Sequence, residues 1–266
     1  MWKIRYKTYN NRIKERILQV CNKRFYKKAK ELGCDYLATG HYAKIEYDKK
    51  WNQKVLKKSD SIRKDQSYVL YNVKKEILQD TIFPLGEFEY KDEIREIART
   101  HGLEVANKKD SEDICFIPDN NYVRFLEENN LKSKKGNIVD TEGNILGKHT
   151  GLYKYTIGQR KGLGISSKYP LYVVKLDKDK NEVIVGKEEE IFSPKAIITD
   201  FNNLLTENKI ENMKVKAKVR YSAKEADAII NQIDDKTVEV NFLEPQRAIT
   251  PGQSLVLYID DIVLGG

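Results

Sequence analysis

The chain has 266 residues, is 40% hydrophobic and 33% charged, and carries a formal net charge of +8. Its length favours two or three domains over one core, and its composition excludes both a disordered polymer and a set of membrane-spanning helices. Three cysteines, none in a CxxC pair, exclude a disulfide framework and an obvious zinc ligand set, so no metal site is expected.

The basic N-terminus lacks the apolar core and cleavage site of a secretory signal, so a cytoplasmic protein with free thiols is expected. The charge is uneven: residues 1–30 hold eleven Lys or Arg against one Glu, a local net of +10, leaving −2 for the rest. Trp2, Tyr6, Tyr9, Phe25 and Tyr26 are interleaved with those cations. That mixture suits a phosphate backbone and stacked bases, and equally a solvated helix face.

Asn22 to Gly33 is predicted to be helical, with Phe25, Ala29 and Leu32 on one side and Gly33 as its stop. Cys34 to Thr39 then reads as a strand entering a loop at Gly40 and His41. Helix, strand and glycine loop in this order are typical of an open α/β sheet, where ligands gather at the C-terminal ends of strands. Tyr42 to Lys58 reads as a hairpin turning at Asp48-Lys49-Lys50. Lys64-Asp65-Gln66-Ser67-Tyr68 opens an apolar segment with Asp65 as a candidate N-cap. A helix is predicted from about Lys91 to His101, ended by Gly102, and another over Asn121–Glu128.

Between these two helices lies Lys108-Lys109-Asp110-Ser111-Glu112-Asp113-Ile114-Cys115-Phe116. The lysines favour a reactive thiolate at Cys115 and the acids oppose it, so the residues alone allow both a nucleophile and an inert buried thiol.

From Asn129 helical periodicity gives way to short β-like runs: Asn137–Val139, Leu171–Leu176 and Val183–Val185. Thr156 to Gly164 is a glycine-rich basic loop able to cradle phosphate, although it matches no Walker pattern. After Ser193-Pro194 come strands Lys214–Tyr221, Asp227–Asp234, Thr237–Phe242 and Ser254–Ile259, spaced as in a small barrel.

Six stretches together resemble the bacterial tRNA-specific 2-thiouridylase (MnmA) family over roughly residues 18–266. They are Cys21-Asn22-Lys23, Ala38 to Tyr42, Lys64 to Tyr68, Lys108 to Ser111 with Ile114-Cys115-Phe116, Thr156 to Gly164, and Thr250 to Ser254. They fall in the family's order and end at its Leu264-Gly265-Gly266 tail. The resemblance implies ATP-dependent transfer of persulfide sulfur to C2 of the wobble uridine of tRNA. Cys115 matches the persulfide-bearing cysteine, and Cys21 the cysteine that attacks the persulfide and ends in a transient disulfide with it. Cys34 matches no functional position and reads as core.

By the same resemblance Gly40 matches a backbone contact to ATP and His41 a position near the tRNA. Lys64, Asp65 and Gln66 match a tRNA-contacting tripeptide, and Arg220, Tyr221 and Gln253 match further tRNA contacts. Their chemistry agrees: Lys and Arg for phosphate, Gln for base edges or sugar hydroxyls, Tyr for stacking. The implied partners are tRNA and a persulfide sulfur donor protein, with no membrane. The family's Ser-Gly-Gly-x-Asp-Ser pyrophosphate loop is not found in this sequence, and Arg16, Ile17 and Leu18 replace its Asn-Pro-Asp segment.

The expected fold is therefore α/β: an incomplete PP-loop (adenine-nucleotide α-hydrolase-like) domain over 1–128, a small β-rich central domain over 129–192, and a C-terminal β-barrel over 193–266. The leading function is a tRNA 2-thiouridylase, truncated and impaired for want of that loop. A non-catalytic tRNA-binding remnant and a persulfide-carrier or redox module are the alternatives.

Overall fold

The structure is a computed structural model that describes residues 24–61, 63–103, 124, 127, 128 and 134–266. It forms two compact units.

The first described element of the larger unit is a helix, α1 (residues 24–31). Gly33 at φ +76° reverses the chain, and the Cys34 N–H donates to Ala29 O at 2.9 Å, the Schellman closure of a helix end. That closure turns Cys34 into solvent, so it is exposed rather than part of the core as expected. Phe25 and Leu32, expected on the packed side of the helix, are 61% and 69% exposed. Tyr26 turns inward instead: its hydroxyl donates to Asp80 at 2.7 Å, and Lys30 joins the same carboxylate at 2.9 Å.

β1 (Leu37–Ala38) pairs in parallel with β4 (Thr81–Ile82). Between them run the hairpin β2 (Lys44–Asp48) and β3 (Gln53–Lys57), then α2 (Ser67–Leu70) and α3 (Lys75–Gln79). The hairpin turns where expected, because Asp48 Oδ1 accepts the N–H groups of Lys50 and Trp51 at 2.9 and 3.1 Å. α4 (Lys91–Thr100) matches its prediction, yet none of its residues is buried and Ile97 is 48% exposed.

The hairpin does not stay with the α/β segment. β3 pairs with the last strand of the chain, and the sheet continues β2-β3-β14-β13-β10-β11-β12. Here β10 is Met213–Lys218, β11 Ala226–Asp234, β12 Thr237–Arg247, β13 Val256–Ile259 and β14 Ile262–Gly265. One core serves all of it: Leu56 and Tyr68 from the first half meet Leu204, Val256, Tyr258 and Val263 from the second. Burial of such side chains stabilises by about 1.5–3 kcal/mol each.

The smaller unit holds a four-stranded sheet, β6-β5-β8-β7, from β5 (Gly136–Val139), β6 (Ile145–His149), β7 (Tyr172–Asp177) and β8 (Glu182–Gly186). Ile138, Val173, Val183 and Val185 fill its core. The glycine-rich loop from Thr156 is stapled to β7, with the Gly158 N–H donating to Val173 O at 2.7 Å and the Gln159 N–H to Thr156 O at 2.9 Å. Those donors are therefore engaged inside the fold rather than turned to a phosphate. β9 (Phe192–Ile198) and β12 each begin in one unit and end in the other. Of the helix expected over Asn121–Glu128, the described residues Arg124, Glu127 and Glu128 are helical.

Candidate nucleic-acid interface

Strand β1 delivers Thr39, Gly40 and His41 at its C-terminal end. Gly40 is exposed, and a side chain there would meet only Leu85 Cδ1 at 3.6 Å, so its backbone lies open to a ligand. His41 is half-buried. Thr39 Oγ1 lies 2.8 Å from its Nδ1, and the ring meets Phe83 edge-on at 5.9 Å. Burial holds its pKa below the ordinary 6.5, so the ring is neutral at neutral pH.

The next residue ties this strand end to the Lys64–Gln66 loop. Tyr42 N–H donates to Gln66 Oε1 at 2.9 Å, and Gln66 N–H returns a bond to Tyr42 O at 2.8 Å. With its amide oxygen so engaged, Gln66 has its amide N–H groups to offer a ligand.

Asp65 precedes the N-cap position, which Gln66 occupies. Its carboxylate nevertheless does cap-like work: Oδ1 accepts from the Ser59 and Ser67 N–H groups at 3.0 and 3.2 Å, and Oδ2 from Ser67 Oγ at 2.8 Å. Since the Ser67 hydroxyl donates to Asp65, Tyr258 Oη at 3.2 Å donates to Ser67. Burial pushes the Tyr258 phenol pKa far up, and Lys58 Nζ lies 4.4 Å above its ring.

Tyr221 reaches this loop from the other half of the chain, with Arg220 beside it in sequence. The strand expected over Lys214–Tyr221 ends at Lys218, and a turn follows in which the Ala223 N–H donates to Arg220 O at 3.1 Å. The turn swings Tyr221 off the sheet, so that its hydroxyl donates to Asp65 O at 3.2 Å and its ring meets Tyr68 edge-on at 5.9 Å. The ring remains 46% exposed and open to stacking.

Lys218, which the sequence reading did not single out, lies over both rings, 5.7 Å from the Tyr221 centroid and 5.9 Å from that of Tyr68. The signal for it was the run Lys214, Lys216, Lys218 on one face of β10.

Tyr221 is thus bonded to Asp65 and Gln66 to Tyr42, with His41, Lys64 and Arg220 adjacent to them in sequence. Gln253 belongs to the other unit, on the turn where its N–H donates to Thr250 O at 3.0 Å. Cys21 and Cys115 lie outside the described residues. The assembled group offers cations, amide donors and a half-open aromatic ring. Groups of these kinds are the ones with which proteins contact phosphates and bases.

Three family models match consecutive stretches: the tRNA methyl transferase HUP domain over residues 11–119, the tRNA methyl transferase PRC-barrel domain over 124–187, and the aminomethyltransferase beta-barrel domain over 193–266. This order matches the expected α/β, β-rich and barrel sequence of folds. The chain is 51% identical over 252 residues to the tRNA-specific 2-thiouridylase MnmA of Caldicellulosiruptor saccharolyticus, covering 93% of this chain and 70% of that protein. It is 47% identical to the protein of the same name from Clostridioides difficile, again over 70% of its length. For that of Acetivibrio thermocellus the identity is 52% over 67% of the relative. The chain belongs to the MnmA family of tRNA-specific 2-thiouridylases.

Proposed function

We propose that this chain binds tRNA and transfers sulfur to C2 of its wobble uridine, in the cytoplasm. The observation that carries the reading is the meeting of the Lys64–Gln66 loop with Tyr221, from distant parts of the chain, beside the open strand end at Gly40 and His41. Lys64 and Arg220 neutralise phosphate, Gln66 donates through its amide, and Tyr221 stacks. His41, neutral and half-buried, serves as a hydrogen-bonding wall rather than a charge.

Cys115 carries the persulfide, loaded by a sulfur donor protein. Cys21 attacks the inner sulfur of that persulfide. The Cys21–Cys115 disulfide forms, hydrosulfide leaves toward C2 of the uracil, and a cellular thiol later reduces the disulfide. ATP supplies the leaving group by converting the C2 oxygen to an AMP ester. Gly40, open at the end of a parallel strand, suits a backbone contact to that nucleotide.

The test is a thiolation assay with purified chain, unmodified tRNA, ATP and a sulfur source, read on a mercury-containing gel. A retarded tRNA band that requires both ATP and Cys115, and disappears in Cys115→Ser, is the expected result. Retained tRNA with no retarded band would leave the chain a binding role alone.

A further inference from the structure

Lys218, the last residue of β10, lies against two tyrosine rings that are each pinned at the hydroxyl. The Tyr68 hydroxyl donates to Ser254 O at 2.7 Å, and the Tyr221 hydroxyl to Asp65 O at 3.2 Å. The rings meet edge-on, 5.9 Å apart at 69°. The Lys218 ammonium is 5.9 Å from the Tyr68 centroid and 5.7 Å from that of Tyr221, within the range at which a ring quadrupole attracts a cation. Tyr68 is 2% exposed and Tyr221 46%, so the ammonium stands beside one ring sealed in the core and one open to solvent.

Neighbouring cations are neutralised by carboxylates. Lys216, two positions earlier on the same face of β10, pairs with Asp227 at 2.7 Å. Lys58, over the Tyr258 ring, pairs with Glu225 at 2.7 Å. The Asp65 carboxylate is taken by Ser59 and Ser67. Lys218 is half-buried, and among the described residues no carboxylate pairs with it. Its three N–H donors are strongly hydrated in water, and ring faces replace that hydration only in part. A cation partly stripped of water and without a counter-ion gains most when an anion arrives.

We infer, on the footing of the tRNA reading above, that Lys218 is a phosphate-binding residue of the RNA interface. A base stacked on the open Tyr221 ring brings a flanking phosphodiester to the ammonium beside that ring. Aromatic rings for bases, set among cations for the backbone, are the general means by which proteins hold unpaired nucleotides. Because the rings are pinned before RNA arrives, little side-chain freedom is lost on binding.

The test is filter binding of tRNA to the full chain from ~50 to ~200 mM salt, comparing the parent with Lys218→Gln, Lys218→Arg and Tyr221→Ala. The control is Lys209→Gln, an exposed lysine paired with Glu211. Lys218→Gln is expected to weaken binding about five- to tenfold at low salt and to flatten the log–log salt slope by about one. Lys218→Arg should keep the parent's slope, because it keeps the charge over the rings, and Lys209→Gln should bind as the parent does. Circular dichroism checks each variant. If Lys218→Gln fails to fold, Lys218→Met, which keeps an apolar stem against the rings, decides in its place.

Parent-like affinity and slope in Lys218→Gln, with Tyr221→Ala weakened, would overturn the role of Lys218 and leave the tRNA reading standing. Weakened binding at an unchanged slope would also overturn it, because the ammonium would then only prop the Tyr221 ring. Unchanged tRNA binding with weakened retention of a fluorescent ATP analogue would overturn it in favour of a nucleotide phosphate. A parent chain that binds no tRNA would defeat both readings.

Discussion

Gln66 shows how a single side chain divides its work between fold and ligand. Its amide oxygen is committed to the Tyr42 N–H, which fixes the loop against the end of β1, and its amide N–H groups are the donors left to offer a ligand. Gln66→Glu keeps an oxygen for Tyr42 but replaces the donors with an acceptor carrying negative charge, close to where phosphate is held. The expected outcome is tRNA affinity reduced about tenfold, with a denaturation midpoint close to the parent's, since a hydrogen bond to a charged group contributes about 1.5–3 kcal/mol. Filter binding beside urea denaturation checks it. A loss of stability equal to the loss of binding would mean that Gln66 acts only as a strut.

At the level of elements, the last strand does most to hold the larger unit together. β14 lies between β3 and β13, and all four of its residues are buried. Leu204 N–H donates to Leu264 O at 2.9 Å, and Asn202 N–H to Gly266 O at 3.0 Å. Leu264→Ala is therefore expected to cost about 2–5 kcal/mol, read as a lowered urea midpoint at unchanged slope; a change below about 1 kcal/mol would mean that the site collapses around the cavity.

This strand also marks where the sequence stops being readable. β7, β8 and β10 to β13 follow alternation or clear apolar runs bounded by turns, and were legible. Ile262-Val263-Leu264-Gly265 is buried on both faces and has no alternation to read. β4 has two residues, too few for any period, and β6 leaves Ile145 and Leu146 exposed. Cys34 was misread because burial statistics for cysteine say nothing about a helix-ending turn. Arg220 and Tyr221 read as strand because the turn that swings them off the sheet carries no Gly, Pro or Asn. The meeting of Tyr221 with Asp65 depends on β10 lying beside β13, which no local pattern states; only resemblance singled out the two residues.

The whole molecule makes a sharper claim than three consecutive domains would. The Tyr68 hydroxyl donates to Ser254 O at 2.7 Å, and the Tyr71 hydroxyl lies 2.9 Å from Ser254 Oγ. Gln53 Nε2 donates to Leu205 O at 2.7 Å, and Asn202 Nδ2 to Tyr71 O at 2.7 Å. Each bond joins residues before 104 to residues after 200, around a shared apolar core. A chain ended at residue 192 would strip Leu56, Tyr68 and Tyr71 of that core and leave β3 an open, apolar edge, a template for aggregation. Such a chain is expected to lose hydrogen-exchange protection over Lys44–Lys57 and to aggregate, and co-expression of residues 193–266 should restore the protection. Protected amides in the β2–β3 hairpin of the shortened chain would show that the first half folds by itself. In that case the tRNA site would be an encounter of two finished modules. If protection returns only with the second half, then folding of the larger unit and assembly of the Lys64–Gln66–Tyr221 site are one event, because the strands that complete the core also carry Tyr221 to Asp65.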